Sequence, residues 1–531
     1  MSTSDLSARR YGGPVPPWLD ERTRSIPIEV WITGALVVIA AVIRIVVLTN
    51  QSYWADEALT AYEAQLPFGA MITTVVHVET TPPLYFVVIW VWAHVFGTGE
   101  AALRAVSMLA GVALVPLAYL SGRELVSARA GTIAAALVAL NPFLIWYSQE
   151  ARAYMLLAAL SGASFLWFVR ARARPSRRNT AWWAIWSSLA LMTHFFAGFL
   201  VAPEALWLLW TARRRITAAA VVVVGAVQVA MLPFAFADTG HGVGWIAQIP
   251  RHVRIAQAIS EWGVSIMYRR ATQNQSFLGG ALLIVAAGLL LAFGHERRTR
   301  RGAAVAAAIG VAVWILPLLA ALGGQDYFIS RNVIPAVVPL AVVLGAACAA
   351  PRARLLGGAL AAVLVAMFAY ATIQVQTHAY LQRPDWRSVA HALGPALVPR
   401  AIVAANGTTA DPLKIYLPRS NWVQPQEQKV WVQEVDVVGD RKQLPLRPVR
   451  LDLPKLPPIW LSRRGAPTPA LVAPPGARLV DRFVVHNWII GRFVFAHPRQ
   501  LTVKQLIALA PEYFHRTPNS LLIFFQRAAG H

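Results

Sequence analysis

Cysteine is almost missing from this chain: Cys348 is the single thiol in 531 residues, which excludes an internal disulfide framework and any cysteine-built zinc site. Charge is scarce as well, at 14% of residues, where soluble domains carry about 25%. The hydrophobic share is 57% and the mean hydropathy +0.50, so an ordinary soluble enzyme and a disordered chain are both excluded. Lysine is absent up to residue 375, although the formal net charge is +23. The positive charge there is arginine, set in short clusters between apolar runs, which is a topology signature and not a nucleic-acid footprint. The change of basic residue near 375 marks two differently built regions, a membrane part and a soluble part.

A membrane-crossing helix needs about 20 mainly apolar residues. Candidate runs lie at 28–49, 81–96, 101–120, 130–147, 153–169, 181–211, 216–236, 277–294, 302–322, 332–350 and 355–375. The positive-inside rule places the clusters at Arg9/Arg10, Arg22/Arg24, Arg123/Arg129, Arg170 to Arg178, Arg213 to Arg215, Arg297 to Arg301 and Arg352/Arg354 in the cytoplasm. That parity makes 181–211 a tight hairpin turning at Thr193-His194-Phe195-Phe196, and 81–96 an interfacial helix on the outer face. About eleven spans follow. The loop 50–100, the start of the helix with Arg104, the loop 148–152, the tip at His194, the loops 237–276 and 323–331, and everything after 376 then fall outside, around one external cavity.

Residues 1–27 read as a cytoplasmic tail and not a cleavable signal, with a membrane domain over 28–375 and an external α/β domain over 376–531. The last is proline-rich at Leu451 to Pro458 and Pro467 to Pro475, strand-like at Ala401 to Ala404, Arg482 to Phe495 and Leu521 to Phe525, and helix-like at Thr502 to Ala510. Asn274-Gln-Ser and Asn406-Gly-Thr match the glycosylation tripeptide, which is common by chance.

The strongest local feature is Asp56-Glu57, adjacent acids directly after the first span. Carboxylates at the bilayer boundary cost desolvation, which favours a functional site over the plain alternative of a solvated loop that happens to be acidic, and either can act as a general base toward a bound hydroxyl. Glu79-Thr80-Thr81-Pro82-Pro83-Leu84-Tyr85 opens the interfacial helix, whose aromatics, Tyr85 among them, also suit a headgroup-level belt. Arg104 stands at the same outer level, placed either to snorkel to lipid phosphate or to bind a leaving phosphate in two-pronged fashion. Tyr147-Ser-Gln-Glu150-Ala-Arg152-Ala-Tyr154 puts an acid, a guanidinium and two phenols on one short loop, where Glu150 and Arg152 can also pair with each other. His194 stands alone at its hairpin tip, where a structural role is the simpler reading. Arg331 is a second phosphate candidate, with an ion pair to Asp326 as its plain alternative.

No metal-ligand spacing, P-loop, G-x-G-x-x-G or G-x-S-x-G pattern accompanies these residues. A divalent metal is not indicated and no cofactor is required. Outside the cytoplasm an activated sugar has to arrive on a lipid, which points to a polyprenyl-phosphate donor.

Taken in order, Asp56-Glu57, Pro82-Pro83-Leu-Tyr85, Leu103-Arg104, Tyr147 to Tyr154, Thr193-His194 and Ser330-Arg331-Asn-Val-Ile-Pro335 resemble the GT-C glycosyltransferases, in the branch of protein-mannosyltransferase-like and aminoarabinose-transferase-like enzymes, over about residues 28–400. The resemblance implies an α-helical polytopic membrane protein of GT-C type, with outer interfacial helices and a C-terminal mixed α/β external domain, in the plasma membrane. It implies an inverting transferase that moves a sugar from a polyprenyl-phosphate carrier to an acceptor hydroxyl of a glycan, lipid or protein on the outer face. On it, Asp56 matches the catalytic aspartate, Glu57 its acidic neighbour, Arg104 a donor-phosphate arginine and, more loosely, Arg331 a phosphate-side arginine; in the mechanism expected from this, Arg331 or Arg152 helps Arg104 at the donor phosphate. Thr81 stands where many of these enzymes carry histidine or lysine before the two prolines. The rival class is a transporter or flippase of lipid-linked glycans, which suits eleven spans with intramembrane charge. Charges gathered at one outer level and the lack of repeats favour the enzyme. A non-catalytic envelope scaffold is a third reading, under which Asp56 and Arg104 are dispensable.

Overall fold

The computed structural model describes residues 26–79, 81–236, 244–263, 281, 285–289, 292–293, 296–378, 381–405, 410–417, 420–423, 429–440, 473–485, 488–508 and 521–528. The helices of the membrane part are α1 (Ile28–Val47), α2 (Ala55–Glu63), α3 (Phe68–Val78), α4 (Leu84–Phe96), α5 (Glu100–Leu125), α6 (Ala128–Leu140), α7 (Pro142–Ser148), α8 (Tyr154–Ala173), α9 (Arg177–Thr193), α10 (Gly198–Ala212), α11 (Arg215–Phe236), α12 (Arg251–Gly263), α13 (Arg297–Leu322), α14 (Val337–Cys348) and α15 (Arg354–Thr377). Seven helical segments among the described residues are long and apolar enough to cross a bilayer, and the bent pair α6–α7 makes an eighth. Two of the expected eleven spans are covered by shorter helices, α9 and Ile334–Cys348, and the span at 277–294 lies largely outside the described residues. The run 81–96 is the 13-residue α4, about 20 Å long at 1.5 Å per residue and too short for a hydrocarbon core of about 30 Å.

The bundle turns apolar side chains outward, as lipid-facing helices do: Trp31, Val38, Val42, Ile45 and Val46 of α1 are all exposed. Helix α8 is its centre, with 78% of its apolar window buried. Small residues let backbones approach, as is usual between membrane helices; a Cβ on Gly131 of α6 would strike the backbone of Tyr119 in α5. The 54° break between α6 and α7 falls at Asn141-Pro142, where proline supplies no N–H. Asn141 caps α7 by accepting from the Phe143 and Leu144 amides at 2.9 and 3.2 Å. Arg44, fully buried in α1, donates to the Ala139 carbonyl at 2.9 Å and to Ser148 Oγ at 3.0 Å, so a buried cation satisfies the broken backbone.

The hairpin expected at 193–196 is present. Helix α9 ends at Thr193, His194 is extended, one 3-10 turn covers Phe195–Ala197, and α10 returns. The arginine clusters gather at one end of the bundle. Arg170 pairs with Glu124 at 2.6 Å, Arg298 donates to the Arg123 carbonyl, Arg129 to that of Arg354 and Arg214 to that of Pro175. Helices α2, α3, α4 and α12 lie with the loop carrying Arg331 at the opposite end.

After α15 the chain runs through α16 (Trp386–Leu393) into a six-stranded sheet of order β2-β6-β1-β3-β5-β4. Its strands are β1 (Arg400–Ala405), β2 (Ser420–Val423), β3 (Lys429–Asp440), β4 (Ala477–Val485), β5 (Trp488–Thr502) and β6 (Leu521–Gln526), with short helices α17 (Leu413–Tyr416) and α18 (Val503–Ala508). Strand β1 runs parallel to β3 and antiparallel to β6. Both faces are covered. Ile402 and Ala404 pack with Trp386 and Leu393 of α16, while Ala401 and Val403 face Val503 and Leu506 of α18, as the period-2 alternation requires. The stretch 482–495, expected as one strand, is instead the end of β4 and the start of β5 in an antiparallel pair, and β3 was not foreseen. The helix expected over 502–510 starts at Val503, and both glycosylation tripeptides carry asparagines outside the described residues.

Candidate active site

Helix α2 opens with Asp56 and Glu57 in its first turn. Successive helical residues point about 100° apart, so the two carboxylates part company. Glu57 turns inward and is fully buried. It accepts from Arg104 Nε and Nη2, both at 2.7 Å, from the Ala151 amide at 2.9 Å and from the Trp54 amide at 3.4 Å. Burial pushes its carboxyl upward, but the charge and hydrogen bonds of Arg104 hold it below the usual carboxylate range. Arg104 uses its other N–H groups on the carbonyls of Leu48, Gln51 and Ser52, at 3.1, 2.7 and 3.1 Å. It too has no exposed surface.

Every N–H group of Arg104, expected to receive the donor phosphate, is thus engaged by a protein atom. Its guanidinium is saturated by protein groups and tethers the end of α1 and the following loop to α5. Glu57 is its counter-ion, and neither group faces open space as a catalyst must.

Asp56 points the other way and stays half-buried. Among the described residues no hydrogen bond or ion pair engages its carboxylate; only its backbone carbonyl accepts, from Arg152 Nη1 at 3.4 Å. Its charge acts on Arg331, Arg152, Glu150 and Tyr154. An uncommitted carboxylate among cations and phenols is free to take a proton from a hydroxyl placed against it.

Glu150 and Arg152 do not pair with each other. Glu150 accepts from Arg383 Nη2 at 2.7 Å, and burial, partly offset by Arg383, pushes its carboxyl up to about 7. Arg152 forms a two-pronged pair with Glu79, both contacts at 2.7 Å, and reaches Thr60 Oγ1 at 3.2 Å. Glu63 lies next to that pair, fully buried, with both carboxylate oxygens lacking a hydrogen-bond partner among the described residues. Burial and the Glu79 charge push it up to about 9, which makes it a neutral acid at physiological pH.

Arg331 lies over the Tyr154 ring, 5.3 Å from its centroid. Burial opposes its charge, while Tyr154, Asp56, Tyr147 and Glu150 favour it and raise its pKa overall. Asp326 is not its partner: Arg254 binds that acid at 2.8 and 2.7 Å and Arg251 at 3.2 Å. Tyr154 sits 5.4 Å from Tyr147 and 5.9 Å from His194 by ring centroids. His194 is buried, and its Nδ1 accepts the Phe196 amide at 3.2 Å, capping the 3-10 turn. That is a structural duty. Tyr85 is fully buried edge-on to Phe86, its hydroxyl without a hydrogen-bond partner among the described residues. No three His, Cys, Asp or Glu side chains among the described residues gather as a metal site would require.

Sequence reasoning missed Arg383, Arg254 and Glu63. Arg383 carried no local signal, because its partners Gln149 and Glu150 lie 234 and 233 residues earlier in the chain.

Residues 80–237 match the family of dolichyl-phosphate-mannose-protein mannosyltransferases. Among solved structures, the chain is similar to ArnT from Cupriavidus metallidurans bound to undecaprenyl phosphate, at 15% identity and a TM-score of 0.51, covering 86% of this chain and 97% of that one. The apo state of the same ArnT aligns over 68% of this chain and 69% of its own, at 18% identity and a TM-score of 0.45. The archaeal oligosaccharyltransferase AglB from Archaeoglobus fulgidus, in complex with an inhibitory peptide and a dolichol-phosphate, aligns over 67% of this chain and 57% of its own, at 15% identity and a TM-score of 0.40. No curated protein matches the chain in sequence. The chain is thus a multi-pass membrane protein with the GT-C fold, as the motif order implied.

Proposed function

We propose that the chain is an inverting glycosyltransferase that takes a sugar from a polyprenyl-phosphate carrier and passes it to an acceptor hydroxyl. The observation that carries this reading is the divergence of two adjacent acids: Glu57 is locked by Arg104, which leaves Asp56 as the uncommitted carboxylate beside Arg331. Asp56 takes the acceptor proton as the hydroxyl oxygen attacks the anomeric carbon. The bond from that carbon to the phosphate oxygen breaks on the opposite face, and its electron pair leaves with the polyprenyl phosphate. Arg331 is the cation set to offset the charge that grows on that phosphate, a term that counts for most in a site shielded from water. Arg152 acts at one remove, with its guanidinium on Glu79 and on the Asp56 backbone. Glu57 and Arg104 hold the loop, and Glu150 completes the polar wall with Arg383.

The acidic end of the bundle faces the outside and the arginine clusters face the cytoplasm, as the positive-inside rule directs. The family of the 80–237 segment and the undecaprenyl phosphate held by the ArnT neighbour support a lipid-linked donor. The acceptor class is a glycan, a lipid or a protein hydroxyl.

The test is transfer from a panel of radiolabelled polyprenyl-phosphate sugars by the purified protein, wild type against Asp56→Asn. Loss of a general base costs about 10²–10⁴-fold in rate, so one donor is expected to turn over and the variant to fall by that factor while still folding. Wild-type turnover in Asp56→Asn overturns the assignment. Solute or lipid movement across proteoliposomes with no donor consumed replaces the enzyme by a transporter.

A further inference from the structure

Arg383 comes six residues after the last residue of α15, in the connection to the C-terminal sheet, yet its guanidinium is buried in the site described above. It donates to the Gln149 carbonyl at 2.9 Å and to Glu150 Oε2 at 2.7 Å, and lies 3.5 Å from Glu57 Oε2. The rings of Trp146 and Trp54 flank it, at 4.6 and 5.8 Å to their centroids. One side chain thus touches two of the buried acids of the site and the loop between α7 and α8.

The backbone around it is fastened as firmly. The Arg383 amide donates to Gln51 Oε1 at 2.9 Å, and Ser52 Oγ donates to the Pro384 carbonyl and accepts the Trp386 amide, at 2.9 and 3.0 Å. Asp385 then caps α16 through the Ser388 amide at 3.1 Å. At the far end of that helix, Arg400 binds the carbonyls of Leu393 and Gly394, and Arg492 binds that of Leu393 again. Both arginines pair with Asp436 of β3. Trp386 packs on Trp488 of β5 at 4.1 Å between centroids. Beside this strut, the Tyr53 amide donates to the Tyr416 hydroxyl at 2.7 Å, and Arg387 and the Tyr416 hydroxyl both engage Glu100. The contacts run without a gap from the sheet to the residues flanking Asp56.

We propose that Arg383 is a positioning residue of the transferase site, which fixes Glu150 and the 149–152 loop opposite Asp56, and that through α16 the C-terminal domain is part of the catalytic unit. This rests on the transferase reading above. A cation bound at once to two acids and a loop carbonyl sets where those acids stand, and displacement of a reacting geometry by about 1 Å can cost about 10²-fold in rate.

The experiment uses the full chain carrying Arg383→Met or Arg383→Lys, with Asp56→Asn as control. Backbone hydrogen exchange over residues 143–155 reads the positioning without any substrate. Arg383→Met is expected to speed exchange at the Ala151 and Arg152 amides, and Arg383→Lys to restore much of the protection. With the donor that wild type consumes, Arg383→Met is expected to lose about 10²-fold in kcat and to bind undecaprenyl phosphate as wild type does. The ionisable groups whose charge acts on Glu150 include Arg383, Glu57, Arg331 and Asp56, and the phenols of Tyr85, Tyr147 and Tyr154 lie within its field. Removing the Arg383 charge therefore moves the limb of the pH profile that follows Glu150 to higher pH, whereas Arg383→Lys leaves it in place.

Unchanged exchange over 143–155 in Arg383→Met overturns the inference whatever the turnover shows. So does a loss of rate that scales only with the amount of folded protein and leaves the limb unmoved. An active Asp56→Asn control instead removes the transferase reading and leaves the exchange result to stand by itself.

Discussion

The two ends of the helix bundle use the same residue for opposite purposes. At the basic end, Arg123, Arg129, Arg170, Arg214 and Arg298 sit in partly or fully exposed positions; Arg170 pairs with Glu124 and lies over the Trp167 ring, and the described side-chain contacts of Arg129, Arg214 and Arg298 are with backbone carbonyls. At the other end, Arg104, Arg152, Arg254 and Arg383 are buried or nearly so, each tied to a named carboxylate by a bond of 2.7 Å. Exposed charges of the first kind cost little to place and set how the chain threads the membrane. Buried charges of the second kind are costly to desolvate and repay that cost only in exact pairs. An arginine count therefore says nothing of function until burial is known.

Substitutions can break that contrast. The largest effect is expected for Arg104→Met, which leaves buried Glu57 with only the more distant Arg383, at 3.5 Å; losing one member of a buried pair costs about 3–5 kcal/mol, read as a fall in thermal midpoint in detergent. The double variant Arg104→Met/Glu57→Met is expected to recover part of that loss, because an apolar replacement of both partners removes the stranded charge. A double variant no better than the single would show that Glu57 alone is not the problem.

Glu63→Gln tests the neutral acid beside the Arg152–Glu79 pair. The Glu63 carboxyl is raised in the folded chain to about 9 from an ordinary value of 4.5. The folded form thus keeps a proton that the unfolded chain releases, and the stability it brings is complete below about pH 4.5 and fades as pH rises toward 9. Glutamine carries no such proton, so Glu63→Gln is expected to be the more stable protein at pH 8, with the difference shrinking toward pH 5. Equal midpoints across that range would mean that Glu63 is ionised.

The smallest effect is expected at the basic end. Arg298→Gln and Arg170→Gln each remove a partly exposed contact worth about 0–1 kcal/mol, so the midpoint should barely move. A shift as large as that of Arg104→Met would erase the distinction between the two ends.

Much of this was legible in the sequence because membrane spans and their flanking arginines are local signals. The hairpin at His194 followed from charge parity alone, and Asp56-Glu57 stood out because acids at a bilayer boundary are costly. Which of the two acids is committed was not legible, since the answer is Arg104, 47 residues away from Glu57. Arg383 was hidden for the same reason at greater range, 233 residues from Glu150. Strand β3 escaped notice because Glu434 and Asp436 interrupt its apolar alternation; they are buried there only because Arg400 and Arg492 meet them. Long-range pairing, and not local propensity, decides each of these.

The contact between Arg383 and Glu150 also sets a clock. Synthesis adds about 5–20 residues per second, so at those rates about 10–50 seconds separate the emergence of Glu150 from that of the arginine 233 positions later that binds it. During that interval Glu150 sits among the newly inserted helices without its cation, and the first loop lacks the fastening that Pro384 and Trp386 give to Ser52. A ribosome that stalled in the membrane segments would leave a bundle with an unfinished acidic end.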